Sequence, residues 1–195
     1  ERDTNRITVA SLNPPNRICS TPVSTVAASR YCRPCSFTRV TINSAVAPVA
    51  AEIGGGFHVC DVGDETSAVT AFEAAASAHG AARILVNCAG SSPGGTLQSL
   101  EEEQWMESLN LKFMGYVRTT KPAVGHMKER GWGRVINVIG NDGIKPIYFG
   151  LTPGAANAAG INFTLAIAEE LAPHGITVNA VNPGPVDTER WWGLV

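Results

Sequence analysis

With 195 residues the chain has the length of one domain, enough to bury a real core. A net charge of −2 gives no electrostatic case for nucleic acid or an acidic membrane surface as partner. No apolar run reaches spanning length, and ERDTNRITVASLNPPN (1–16) lacks a signal-peptide core, so a soluble cytoplasmic protein is expected.

In chain order, the composition changes near residue 50. No glycine precedes Gly54, although the chain has 20. RITVAS (6–11) and FTRVTIN (37–43) have strand composition, with VSTVAASRY (23–31) and SAVAPVAAEIG (44–54) as possible helices. From Gly54 onward, strands and helices alternate. FHVC (57–60) reads as a short strand. Residues 65–79 read as a helix, with Val69, Phe72 and Ala76 at helical spacing and Gly80 as its stop. RILVN (83–87) is the next strand. Ser99 and Glu102 have capping-box spacing, and the helical pattern then runs to about Arg130, bent or broken around Pro122. GRVINVI (133–139) is a strand. Residues 155–171 form a helix with Ile161, Leu165 and Ala168 along one face, and ITVNAV (176–181) is the last strand.

Short apolar strands suit a parallel sheet covered on both faces, and the alternation predicts a doubly wound Rossmann-like α/β domain over 1–195. Within it, 1–50 is an atypical segment and 51–190 a regular βαβ core. The strand order of such a fold is 3-2-1-4-5-6. Strands three and four are then separated by two others, so residues 1–50 must supply both or leave a gap. Five cysteines have no framework spacing. Cys32–Cys35 and His58–Cys60 imitate halves of a zinc site, but nothing ties them together, and no metal is expected.

Five stretches resemble the short-chain dehydrogenases/reductases: CDVGDE (60–65), NCAG (87–90), SLNLKFMGYV (108–117), GRVINVIG (133–140) and GITVNAVNPGPVDTE (175–189). Each is weak alone; five in order at family spacing are specific. The resemblance implies a soluble homo-oligomer that transfers a hydride between NAD or NADP and a small carbonyl or alcohol. It implies that Asp61 and Val62 lie at the adenine, and that Asn87, Ala89 and Gly90 form the cofactor floor. Pro183, Gly184, Val186 and Thr188 would then lie over the nicotinamide, with Asn110 at the active site. Bland roles stand beside these: Asp61 as a turn or capping residue, Asn87 and Gly90 as a strand-ending turn, Asn110 as a polar helix residue.

Three departures bear on activity. The family's glycine-rich turn falls near 13–21, where this chain has NPPNRICST, and Pro14 and Pro15 have no N–H for a pyrophosphate. The family's serine, tyrosine and lysine positions hold Gly140, Pro153 and Asn157. Tyr148 is then the one phenol near the presumed site, as substitute proton donor or as a packing residue. Finally, the chain ends at Val195, where the resemblance would continue into a substrate lid, so the domain is expected to be incomplete at both ends. Weak dinucleotide binding and no ordinary turnover are expected. The alternatives are a noncatalytic relative that keeps the fold for binding or scaffolding, or a truncated product.

Overall fold

A computed structural model describes residues 6–10, 37–41, 55–90 and 92–184. Six strands, β1 (Arg6–Ala10), β2 (Phe37–Thr41), β3 (Gly56–Val59), β4 (Ile84–Asn87), β5 (Gly133–Val138) and β6 (Ile176–Val181), form one sheet. Its order is β3-β2-β1-β4-β5-β6. This is the Rossmann-like order expected, and the atypical early segment does supply the two strands between β3 and β4.

β2 runs parallel to β3, and β4, β5 and β6 are mutually parallel. β1 is the exception. It pairs antiparallel with both neighbours, Ile7 opposite Asn87 and Ala10 opposite Ile84. Its carboxyl end therefore lies at the amino end of β4, and the chain leaves it at the rim away from Asn87. The expected pyrophosphate turn, near residues 13–21, lies outside the described residues. Pro14, Pro15 and the two expected early helices lie outside the described residues.

The helices are α1 (Glu65–His79), α2 (Glu102–Ser108), α3 (Gly115–Arg130) and α4 (Leu151–Leu171). α1 starts at Asp64, whose side chain accepts from the Ser67 N–H at 2.6 Å, and stops at Gly80 as the sequence predicts. The cap of α2 differs from the expected Ser99–Glu102 box. Gln104 accepts from the Glu101 N–H at 2.9 Å, while Ser99 folds back onto Thr96. The later pair wins because Ser99 is engaged in its own turn. α2 and α3 are joined by a π-helical turn, Leu109–Met114. Helix α3 continues through Pro122, so the irregularity expected at the proline falls before it.

Leu85, Ala123, Met127, Val135, Leu171 and Ile176 form the centre of the core, with Phe72 and the alanines of α1 beside them. The described helices share the face of the sheet to which Leu85, Asn87, Val135 and Asn137 point, because α3 and α4 both bond to it there. α4 begins four residues earlier than its apolar pattern predicts. Pro153 fits its first turn, where the missing N–H has no helical partner anyway. Its buried face is Thr152, Ala156, Asn157, Gly160, Thr164 and Leu171. Leu165, expected along the apolar face, is 67% exposed instead. Small residues let α4 lie close to the sheet, and a Cβ on Gly160 would already be 3.4 Å from Ile139.

Candidate active site

Parallel strands bring their carboxyl ends to one rim, where α/β sheets bind ligands. The turns after β3, β4, β5 and β6 meet there.

Asp61 follows β3 and is exposed. Its Oδ1 accepts from the Gly63 N–H at 2.8 Å, and its own N–H donates to Ser67 Oγ at 2.9 Å. Val62 is buried, and its carbonyl accepts from Arg118 at 2.9 Å. Asn110 lies in the π turn. Its Nδ2 donates to the Gly63 carbonyl at 3.1 Å, and its Oδ1 accepts from Arg118 at 2.7 Å. Asn110 and Arg118 together fasten the turn after β3 to the start of α3.

Asn87 ends β4 and is fully buried. Its Nδ2 donates to Thr120 Oγ1 at 3.1 Å and Asn137 Oδ1 at 2.9 Å, and its Oδ1 accepts from Thr119 Oγ1 at 2.8 Å. Asn137 in turn donates to Thr164 Oγ1 at 2.9 Å. This network shapes the floor beneath the turn from behind. Ala89 is buried in that turn, and a Cβ on Gly90 would lie 2.9 Å from the Lys112 side chain. Lys112 reaches across to donate to the Ile139 carbonyl at 2.6 Å, which sets an ammonium between the ends of β4 and β5. Sequence reading missed Lys112, Arg118 and the threonines. The paired asparagines that end LVN and lie within INV were the available signal.

After β5 the chain turns through Asn141–Gly143. Asn157 Nδ2 donates to Asp142 Oδ1, and Asn157 Oδ1 accepts nothing among the described residues. The Asn141 N–H donates to the Pro183 carbonyl at 3.1 Å, joining this turn to the one after β6. Among the described residues, nothing beyond its chain neighbours would lie within 4 Å of a Cβ on Gly184. Val186 and Thr188 lie outside the described residues.

Tyrosines divide clearly. Tyr116 is buried and its hydroxyl donates to the Val138 carbonyl; burial, and then Cys88, push its phenol well above the ordinary range. Tyr148 is 78% exposed, with its ring edge-on to Phe149. Pro153 is half-buried in the first turn of α4.

An acceptor-rich rim with one ammonium fits part of a dinucleotide. The orphaned Oδ1 of Asn157 can take a sugar hydroxyl, and Lys112 complements phosphate charge. Among the described residues, the carboxyl end of β1 lies at the opposite rim, with Ala10 opposite Ile84.

A family profile described as short chain dehydrogenase matches residues 36–194. An acetoacetyl-CoA reductase of Cupriavidus necator is 33% identical over 130 residues, covering 66% of this chain and 52% of that protein. An acetoacetyl-CoA reductase of Shinella zoogloeoides is 31% identical over 147 residues, covering 75% of this chain and 61% of its own length. A crystal structure of an actinorhodin polyketide ketoreductase variant with NADPH superposes with a TM-score of 0.75 at 29% identity, covering 80% of this chain and 62% of that one. The chain spans between about half and two thirds of these proteins.

Proposed function

Because the chain belongs to the short-chain dehydrogenase family, we propose that it is an NAD(P)-dependent oxidoreductase acting on a carbonyl–alcohol pair of a small molecule. The family match over residues 36–194 carries this reading. The acetoacetyl-CoA reductases among its relatives suggest a 3-oxoacyl thioester as the first substrate to try. The bound cofactor would supply or accept the hydride. Asp61, Val62, Ala89, Gly90, Pro183 and Gly184, with Val186 and Thr188, would line its groove. Asn87 would support that groove through its buried network. Asn110 would act by fixing the turn at Gly63, and Tyr148 is the exposed phenol that a substrate could meet.

Binding is expected to be weak, since Pro14 and Pro15 have no N–H to offer a pyrophosphate and each charge-assisted hydrogen bond is worth roughly 1.5–3 kcal/mol. The test is thermal shift of the full chain with NAD, NADH, NADP and NADPH. A concentration-dependent rise in Tm with at least one is expected. No rise with any of the four overturns the reading, and a submicromolar dissociation constant overturns the expected weakness.

A cytoplasmic homo-oligomer belongs to the same proposal. The buried Cys60 thiol, outside any disulfide, suits a reducing compartment. Met106 on α2 and Leu165 on α4, 59% and 67% exposed, give those helices apolar outer faces. A monomeric mass in sedimentation at micromolar concentration would remove the oligomer.

A further inference from the structure

Two of the positions at which this chain departs from its family's serine, tyrosine and lysine are fitted to one another. Gly140 has φ +156°, and a Cβ there would lie 2.6 Å from Nδ2 of Asn157 and 3.0 Å from Oδ1 of Asp142. Only without a side chain at 140 does the amide of residue 157 have room beside the carboxylate of residue 142. That amide donates to the carboxylate. Asn157 is 3% exposed, so its orientation is held by its surroundings, and its Oδ1 has no donor among the described residues. Buried acceptors are rarely left so unless a ligand or water completes them.

The other titratable groups at this rim are differently engaged. Lys112 donates to the Ile139 carbonyl, Tyr116 is buried with its hydroxyl on Val138, Asp61 accepts from the Gly63 N–H beyond β3, and Cys88, Tyr148 and Lys145, three residues after Asp142, are exposed. Asp142 is half-buried and lies in the Asn141–Gly143 turn, four residues beyond the end of β5.

On the reading of the chain as a nicotinamide-dependent oxidoreductase, we propose that Asp142 carries the proton of the reaction and that Asn157 is the positioning residue that holds its carboxyl group. In the oxidation direction the substrate O–H bond breaks and its proton passes to the Asp142 carboxylate. The carbinol C–H bond breaks as the C=O bond forms, and the oxidised nicotinamide, when bound, would take up the hydride. In reduction, the hydride arrives at the carbonyl carbon and the Asp142 carboxyl returns the proton to the oxygen. Solvent exchanges the proton on Asp142 between turnovers. The free Oδ1 of Asn157 accepts from a hydroxyl of the bound ligand.

The test uses the full chain with acetoacetyl-CoA and a panel of ketones and alcohols, with both cofactors, comparing wild type, Asp142→Asn, Asp142→Glu, Asn157→Leu and Tyr148→Phe. Asp142→Asn is expected to lower kcat by about 10²–10⁴, with KM and cofactor affinity changed less than about threefold. The pH profile of kcat should lose a limb in Asp142→Asn and shift it in Asn157→Leu, while Asp142→Glu keeps part of the rate. Independently of turnover, the side-chain amide resonance of Asn157 should move with pH in the wild type and stay flat in Asp142→Asn. The proposal is overturned by an Asp142→Asn variant with kcat near wild type, by loss of turnover in Tyr148→Phe alone, or by an Asn157 amide that ignores pH in the wild type. A wild type that binds cofactor but turns over none of the panel overturns the role of Asp142 alone. One that neither binds nor turns over removes the oxidoreductase reading as well.

Discussion

Asn87 with Asn137, and Asn157 with Asp142, are two amide-centred pairs on the same face and toward the same rim, and they differ in how completely they are satisfied. In the interior, both amide groups of Asn87 find partners on α3 and β5, and Asn137 extends the chain to α4. At the rim, Asn157 uses its N–H on Asp142 and its carbonyl has no donor among the described residues. A closed network fixes helices to a sheet and gains nothing from a ligand. An open one, equally buried, has an acceptor that can still take a donor from beyond the described residues.

The largest expected effect separates the two. Asn87→Leu strands Asn137 and Thr120 within the core, and should cost about 2–4 kcal/mol in urea unfolding, since each orphaned group costs roughly 1–3 kcal/mol. Asn157→Leu removes an orphan along with a bond to a half-exposed carboxylate, so its cost should stay below about 1 kcal/mol. Equal losses at the two sites would erase the distinction between closed and open pairs.

Next in size is the fit between positions 140 and 157. Gly140→Ser should destabilise by about 1–3 kcal/mol, through both crowding and backbone strain at positive φ. Removing the amide with Asn157→Ala in the same chain should relieve the crowding share. A double-mutant cycle should then give a coupling of about 1 kcal/mol. Additive losses would show that the glycine and the amide do not share the space.

This contrast also explains what could be read in advance. The alternation from Gly54 onward, the Gly80 stop and the sheet order follow from periodicity and family spacing, which are local signals. The direction of β1 is not local: RITVA alternates the same way in either sense, and only pairing with Thr41 and Asn87 decides it. The buried face of α4 was misjudged because apolar spacing points to Leu165. The sheet instead accepts the small residues Ala156, Gly160 and Thr164. At the site, the resemblance reads Gly140 and Asn157 as replacements of the family's serine and lysine. Their mutual fit, and the bond to Asp142, needed the turn after β5 folded back onto α4.

A chemical comparison follows at the ends of β3 and β4. Cys60 is buried, and its thiol is pushed up to about 11, first by burial and then by Asp61. Cys88, one residue beyond β4, is exposed. Because the thiolate is the nucleophile, iodoacetamide at neutral pH should modify Cys88 well before Cys60. Peptide mass spectrometry after timed quenching reads the order, and simultaneous labelling would mean that the turn after β3 opens readily.

The smallest effect lies at the sheet's edge, where a polar pair has neither a closed network nor a ligand. His58 on β3 meets His79 at the end of α1, ring centroids 6.1 Å apart and nearly perpendicular. Gly56 makes room for this, since a Cβ there would lie 2.3 Å from Nε2 of His79. The pKa of His58 is lowered from its ordinary 6.5, chiefly by burial and secondarily by the charge on His79. The folded chain thus favours the neutral ring, and below 6.5 the unfolded chain binds more protons. His58 therefore contributes stability that is fully present above pH 6.5 and is lost as pH falls through the lower folded value. Urea midpoints between about pH 5 and 7, the range of histidine titration, should fall toward acid more steeply in the wild type than in His58→Gln. Carboxylates elsewhere contribute the same background to both proteins, so the difference in slope isolates the ring. Parallel slopes would show that the edge pair is too well solvated to be linked to folding, leaving the interior asparagines and the rim amide as the two polar arrangements that matter.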